Sequence, residues 1–359
     1  MKIGFVTGTI GCGGAERQLS YLLKGLRNRG YKVCVVSLSD DDLHYKNEFC
    51  QYGEVFVCRS SFSKLKKSLC IKNFFARHKP DIVHCFSWYT AVYYPFIRQA
   101  GVPCVIGGER SLIKKETPLA ICFRHVLYRL VNKVVVNSRA AFLEILDLKL
   151  PYRKVRIVNN GISLPGNTEE LNPLPEDFPR PFIFAIGSLW WYRGLPRLLK
   201  AVAQLKVKGI QVSAVIAGEG PERENLMCLA DKLHITDRLI LLGQVGDLRP
   251  YLCEASAFCL TSYFEGFPNA LGEAMLAGCP CIAMDVGGVR ELIASSEMGW
   301  VVPPGDVEAM VAVLKKILSD PSKAKQNQGH KAAGWIRKNF TIDKMVTHMF
   351  EVYKEATEK

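Results

Sequence analysis

The feature that most constrains this chain is a rhythm that runs through it twice. Short apolar runs alternate with amphipathic stretches, the pattern of βαβ units built on parallel sheets. In the first half the runs at 2–7, 32–37, 54–58, 81–85, 103–107, 133–137 and 155–158 predict strands. Helical spacing fills the gaps, as in Glu16 to Arg29, where Leu19, Leu22, Leu23 and Leu26 fall on one face. A proline-rich stretch over 161–181 reads as a linker. The rhythm then restarts, with strands predicted at 182–187, 212–217, 238–242, 256–260, 280–284 and 299–302 and helices at 307–319, 322–338 and 342–357. The expectation is an α/β chain of two Rossmann-like domains whose parallel sheets face across a cleft: an N-terminal domain (1–165), a linker (166–181), a C-terminal domain (182–340) and a final helical segment (341–359) packing back on the first domain.

Composition narrows the class. The chain has 359 residues, 48% of them hydrophobic, enough material for two cores and too much for disorder. Thirteen cysteines, odd in number and mostly inside apolar runs, predict free, buried thiols in a reduced, cytoplasmic protein. Cys279 and Cys281 are read as pointing to opposite faces of one strand, and no metal site is expected. The chain starts directly on a strand without the pattern of a signal peptide, and no apolar run approaches the roughly 18 residues that span a bilayer. Net charge is +13, unevenly placed. Residues 1–165 carry 26 Lys and Arg against 11 Asp and Glu, leaving 21 against 23 for the remainder. That asymmetry predicts an anionic partner for the first half: an anionic membrane surface, nucleic acid or a phosphorylated acceptor. No nucleic-acid-reading motif accompanies it, so no nucleic acid is expected.

Four motifs carry chemistry. Gly11-Cys12-Gly13-Gly14-Ala15-Glu16-Arg17 follows the first strand; its glycines admit close backbone approach to an anion at a helix start, but Glu16 stands where a dinucleotide fingerprint wants glycine. Asp40, after the second strand, keeps a dehydrogenase reading open. Ser262 to Met275 contains Glu265-Gly266-Phe267-Pro268-Asn269-Ala270 and, further on, Glu273, with the helix opening at Pro268. Two carboxylates at a helix start repel phosphate, yet suit sugar hydroxyls; the plain alternatives are a helix cap for Glu265 and a solvated first-turn charge for Glu273. Gly187-Ser188-Leu189-Trp190-Trp191-Tyr192-Arg193 places a bidentate cation after another strand. Glu219, in Gly218-Glu219-Gly220, and Val245, after Leu242-Gly243-Gln244, end two further strands.

Together these residues resemble glycosyltransferase family four, the retaining, metal-independent enzymes of the GT-B fold, of the bacterial polysaccharide or glycolipid type. The likeness runs from the Gly13-Gly14 loop through Gly278-x-Pro280 and Asp285-Val286-Gly287-Gly288 to Pro303-Pro304-Gly305-Asp306. It implies that Glu265 meets the donor sugar, Glu273 the ribose, Gly266 to Ala270 the sugar and phosphates, and Gly14 the diphosphate from the other domain. Arg193 and Glu265 are the catalytic candidates. Gly13, Gly14, Ser188, Glu219, Val245, Gly266, Phe267, Pro268, Asn269, Ala270 and Glu273 are the donor-binding ones. Members usually carry arginine then lysine on the third motif; here Ser188 and Arg193 stand there. Many carry a histidine after the fifth strand, where this chain has Gly107-Gly108-Glu109-Arg110. His84, Glu109 and Arg110 are the acceptor-side candidates, with a plain core histidine as the commoner alternative for His84.

The function so implied is transfer of a sugar from a nucleotide-diphosphate donor to a glycan or lipid-linked acceptor, with no cofactor, on the inner face of the membrane or beside it. The alternatives are a non-catalytic sugar-nucleotide-binding subunit and, third, an NAD-dependent dehydrogenase.

Overall fold

The computed structural model describes residues 1–110, 118–147, 152–164 and 172–358. The chain divides into two units, Met1–Gly161 with Ile342–Lys359, and Ile162–Thr341. The first unit holds β1 (Lys2–Thr7), β2 (Lys32–Ser37), β3 (Gly53–Val57), β4 (Ile82–Cys85), β5 (Cys104–Glu109), β6 (Lys133–Val136) and β7 (Val155–Ile157). The second holds β8 (Phe182–Ile186), β9 (Ser213–Ala217), β10 (Leu239–Gly243), β11 (Ala257–Leu260), β12 (Cys281–Met284) and β13 (Trp300–Val302). Every predicted strand forms, with ends within two residues of expectation. Such runs are legible because a parallel strand covered on both faces has no solvent side to interrupt its apolar sequence.

Both sheets are wholly parallel, and both are doubly wound. The first has the order β3-β2-β1-β4-β5-β6-β7 and the second β10-β9-β8-β11-β12-β13. Alternate residues feed opposite layers, as the period of a strand requires. Ile3, Phe5, Val33 and Val35 pack on one face of the first sheet, and Val6, Cys34 and Val36 on the other. The chain reverses its winding between β1 and β4, and again between β8 and β11. At such reversals the loops leaving the carboxyl ends diverge and open a crevice.

The helix Ile342–Thr357 belongs to the first unit. Its Met345, Val346, Met349, Val352 and Tyr353 are buried among residues of β1, β2 and the helix Gly14–Asn28. In the second unit the helix predicted at 322–338 is three pieces: Pro321–Ala324, a π-helical turn Lys325–Gly329, and His330–Asn339. Gly329 lies where a Cβ would sit 2.1 Å from the Gly278 carbonyl oxygen, a backbone approach that periodicity does not reveal. Part of the expected linker is packed: Leu174 is buried in a core cluster of the second unit, its N–H donating to Glu254, which also pairs with Arg180. Residues 165–171 of that stretch lie outside the described residues.

Two cysteine expectations need correction. Cys12, Cys50, Cys122 and Cys228 are exposed, although all thirteen thiols are free. Cys279 and Cys281 do not face opposite ways; both enter one core cluster, because residues two apart on an extended chain share a side. Burial pushes the Cys279 thiol up to about 12, so it stays protonated and inert.

Candidate functional site

In the second unit the predicted donor residues follow the carboxyl ends of adjacent strands, on the connecting loops or, for Asn269, Ala270 and Glu273, on the helix Asn269–Leu276. Val245 follows β10, Glu219 follows β9, Ser188 and Arg193 follow β8, and Glu265 to Ala270 follow β11. The centre of that row is the winding reversal between β8 and β11. There the β8 loop makes a turn of 3-10 helix at Trp191–Arg193 that brings the arginine back across the rim.

Arg193 Nη1 donates to Glu265 Oε1 in an ion pair, with the arginine side chain 26% and the carboxylate 11% exposed. Ser262 Oγ donates to the same Glu265 oxygen at 2.8 Å. Burial works against the Arg193 cation, yet the Glu265 carboxylate and Tyr192 outweigh it and hold its pKa above the usual arginine value. The backbone around the pair is tied between the two loops. Thr261 Oγ1 donates to the Arg193 carbonyl at 2.8 Å, Arg197 Nη1 donates to the Thr261 carbonyl at 2.9 Å, and the Tyr263 N–H donates to the Tyr192 carbonyl at 2.8 Å. Thr261, Ser262 and Arg197 carry none of the predicted roles. Only the placement of Thr261-Ser262 at a strand end hinted at them.

The loop from β12 supports Glu265 from the other side. Gly288 N–H donates to the Gly266 carbonyl at 3.0 Å. Gly287 has φ +52°, and a Cβ there would lie 1.8 Å from the Glu265 carbonyl oxygen. Only glycine combines that left-handed backbone with that approach.

The plain readings of the two carboxylates fail. Glu265 caps no helix, since the helix runs Asn269–Leu276 with Pro268 at its N-cap, one position outside the predicted start. Glu273 is 3% exposed, the fifth residue of that helix, and not a solvated first-turn charge. The Phe267 ring is buried against Phe340, which leaves only its backbone for any ligand. Glu219 is exposed and paired with Arg223, while Val245 packs partly on the core.

The first unit places its candidates unevenly. His84 is no surface group: it is 1% exposed within β4, ringed by Phe5, Phe86 and Tyr353, with Nδ1 2.8 Å from the Tyr353 hydroxyl. Burial, helped by the Arg110 charge, pushes its pKa down to about 3, so the ring is neutral. Glu109 is also buried, accepting from the Tyr128 hydroxyl at 3.1 Å. Arg110 lies 3.6 Å over the Phe86 ring and donates to Asn160 at 2.8 Å; burial lowers its pKa to about 9, leaving it charged at neutral pH. In the glycine loop the Cys12 N–H donates to Asp42 at 2.9 Å, and a Cβ on Gly13 would sit 2.1 Å from a Glu16 carboxylate oxygen. Gly14 opens the helix Gly14–Asn28. Two carboxylates therefore border the loop expected to meet phosphate. Asp40 accepts from the Ser60 N–H at 2.8 Å.

Two doubly wound parallel sheets with polar carboxyl rims are the architecture of a GT-B glycosyltransferase. The chain belongs to glycosyltransferase family four: residues 12–164 match the profile described as Glycosyltransferase Family 4, and residues 167–335 match that of Glycosyl transferases group 1. It is a glycosyltransferase, which removes the dehydrogenase reading. Among its relatives is the N-acetylgalactosamine-N,N'-diacetylbacillosaminyl-diphospho-undecaprenol 4-alpha-N-acetylgalactosaminyltransferase of Campylobacter jejuni, 25% identical over 89% of this chain and 90% of that one. The lipopolysaccharide core biosynthesis glycosyltransferase LpsE of Rhizobium meliloti is 24% identical over 86% and 87%. The solved structure of Anabaena Alr3699/HepE in complex with UDP-glucose superposes with a TM-score of 0.85 at 19% identity, covering 99% of this chain and all of that one.

Proposed function

We propose that the chain is a retaining, metal-independent transferase that moves a sugar from a nucleotide-diphosphate donor to a lipid-linked or glycan acceptor in bacterial polysaccharide or glycolipid assembly. The observation that carries this is the Arg193–Glu265–Ser262 cluster at the winding reversal of the second sheet. A bidentate cation and a fixed carboxylate side by side match a ligand that is anionic at one end and hydroxylated at the other.

In this reading Arg193 exchanges part of its pairing with Glu265 for the diphosphate and stabilises charge on the leaving group as the glycosidic bond breaks. Glu265, held by Ser262, takes a donor-sugar hydroxyl, and Glu273 the ribose. The acceptor hydroxyl attacks from the face the diphosphate leaves and passes its proton to the departing phosphate oxygen. No protein nucleophile is used, and the protein contributes placement and charge. Ser188 supplies no charge, so Arg193 is the main side-chain cation on the phosphates. No divalent ion takes part. The first unit holds the acceptor, and its basic surface rests on an anionic cytoplasmic leaflet. The relatives' names, with their diphospho-undecaprenol and lipopolysaccharide substrates, support an acceptor of that kind.

The test begins with whichever of UDP, GDP and ADP stabilises the protein most against heat. Arg193→Ala is expected to raise its dissociation constant at least tenfold and to leave that of the matching nucleoside within twofold, read by calorimetry. Equal losses for both would take Arg193 off the phosphate. Turnover that persists in EDTA supports the metal-independent route, and turnover that EDTA abolishes and Mg²⁺ restores contradicts it.

A further inference from the structure

The first unit contains a cavity of about 620 Å³ that none of the predicted site residues explains. It opens at the carboxyl end of the first sheet. Gly8 and Thr9 reach it from β1, Leu38 from β2, and the turn Trp88–Tyr93 from β4. Its walls are Leu38, Phe62, Trp88, Val92, Phe123 and Leu127, and its polar lining is sparse. Such a wall suits apolar carbon better than a sugar: each hydroxyl buried there without a partner costs on the order of 1–3 kcal/mol, and the polar groups in the lining, Thr9, Ser39, Tyr89, Lys64 and Lys67 among them, leave most of the wall apolar. It suits hydrocarbon. A 150 Å³ apolar cavity accepts benzene, so this volume has room for on the order of twenty carbon atoms.

The charge at the same cavity is one-sided. Lys64 and Lys67 line it from the first turn of the helix Lys64–His78. The start of that helix, capped by Ser63, adds its own positive end. Lys66 lies 4.0 Å over the Phe62 ring beside them. Phe123, on the wall, is 54% exposed, as a residue at an opening must be.

We infer that this cavity receives the hydrocarbon chain of an amphiphile whose phosphate headgroup is held by Lys64 and Lys67. The inference rests on the reading of the chain as a transferase to lipid-linked acceptors, and it names the part of the acceptor this unit grips: the lipid next to its phosphate, not the sugar. Arg110, Glu109 and the glycine loop take no part in it.

Dodecyl phosphate is the probe, with butyl phosphate, dodecanol and inorganic phosphate as controls, each titrated into the whole protein by calorimetry. Dodecyl phosphate should bind at least a hundredfold more tightly than butyl phosphate, since each buried methylene tightens binding by roughly fourfold until the cavity is full. Val92→Trp, which fills the cavity, should weaken dodecyl phosphate at least tenfold. Phe123→Glu, at an exposed position that folding does not need, should do the same by placing a carboxylate on the wall. The double variant Lys64→Ala with Lys67→Ala should weaken dodecyl phosphate about tenfold and leave dodecanol unchanged. Nucleoside diphosphate binding should stay at the wild-type value in every variant. Equal affinity for butyl and dodecyl phosphate, or undiminished dodecyl phosphate binding in both Val92→Trp and Phe123→Glu, overturns the inference, even if sugar transfer to a soluble glycan proceeds. Failure to bind any nucleoside diphosphate would instead remove the transferase reading on which it rests.

Discussion

Arg193 and Glu265 are 72 residues apart in sequence and share one ion pair, so neither can be changed without altering the other. Replacing Glu265 by alanine strands a partly buried guanidinium, a loss that mixes stability with chemistry. Glutamine keeps the acceptor for Arg193 and Ser262 and removes only the charge, which makes it the cleaner probe. At His84 the same physics decides between a cleft group and a core histidine in favour of the core. A histidine at the end of a predicted strand looks available, but nothing in the chain announced that Tyr353, 269 residues away, would cover it. Its neutrality has a cost in acid. The unfolded ring titrates near 6.5, whereas the folded one titrates near 3, faced by Tyr353 and the Arg110 cation. Between those values the unfolded chain binds the extra proton, so this contribution to stability is complete above pH 6.5 and is lost as pH falls toward 3. From pH 7 to pH 5 that loss is about 2 kcal/mol. His84→Gln, which keeps a polar partner for Tyr353, should remove most of it; urea midpoints at the two pH values measure the difference, and an unchanged acid loss in the variant would refute the assignment.

At the scale of elements, strands were legible and their loops were not. The thirteen strands among the described residues announced themselves because buried parallel strands are uniformly apolar, and the helices Val307–Ser319 and Ile342–Thr357 because their apolar spacing is regular. The π-helical turn at Lys325–Gly329 was hidden, since it answers to the Gly278 backbone and not to local pattern. The donor rim was half legible. Its motif residues stood out by type and spacing, but the ties through Thr261, Ser262 and Arg197 depend on two loops meeting in space. Gly287 joins the two levels: its sequence position marks a turn, and its place against Glu265 gives the turn a function. Gly287→Ala is expected to displace the Glu265 loop and lower turnover at least tenfold. Gly334→Ala, inside the helix His330–Asn339 with open space around it, should leave turnover unchanged and add roughly 0.5–1 kcal/mol of stability. Full activity in Gly287→Ala would show that the β12 loop does not position the carboxylate.

For the molecule as a whole, the charge division visible in sequence now has a surface to act on. On the helix Lys64–His78, Leu65 and Leu69 are 64% and 48% exposed among Lys64, Lys66, Lys67 and Lys72. A further stretch of this half, 112–131, mixes Lys114, Lys115, Arg124 and Arg129 with apolar residues; its Phe123, Val126 and Leu130 are exposed, and Lys114 and Lys115 lie outside the described residues. Among the described residues no helix is long and apolar enough to cross a membrane. Anionic liposomes should therefore sediment the protein at low salt and release it at moderate salt, because the attraction acts over a screening length of about 8 Å at physiological ionic strength. Replacing Lys64, Lys66 and Lys67 by glutamine should weaken cosedimentation severalfold, and an absence of cosedimentation at low salt removes the membrane from the proposal.

We assign catalysis of sugar transfer to the Arg193–Glu265 cluster on the second sheet. Steady-state release of nucleoside diphosphate from the matching sugar nucleotide, in wild type and in Glu265→Gln, tests it most directly. The expected result is a fall in kcat on the order of a hundredfold, with nucleoside diphosphate affinity and thermal midpoint held near wild type. A Glu265→Gln protein that turns over at the wild-type rate would contradict it.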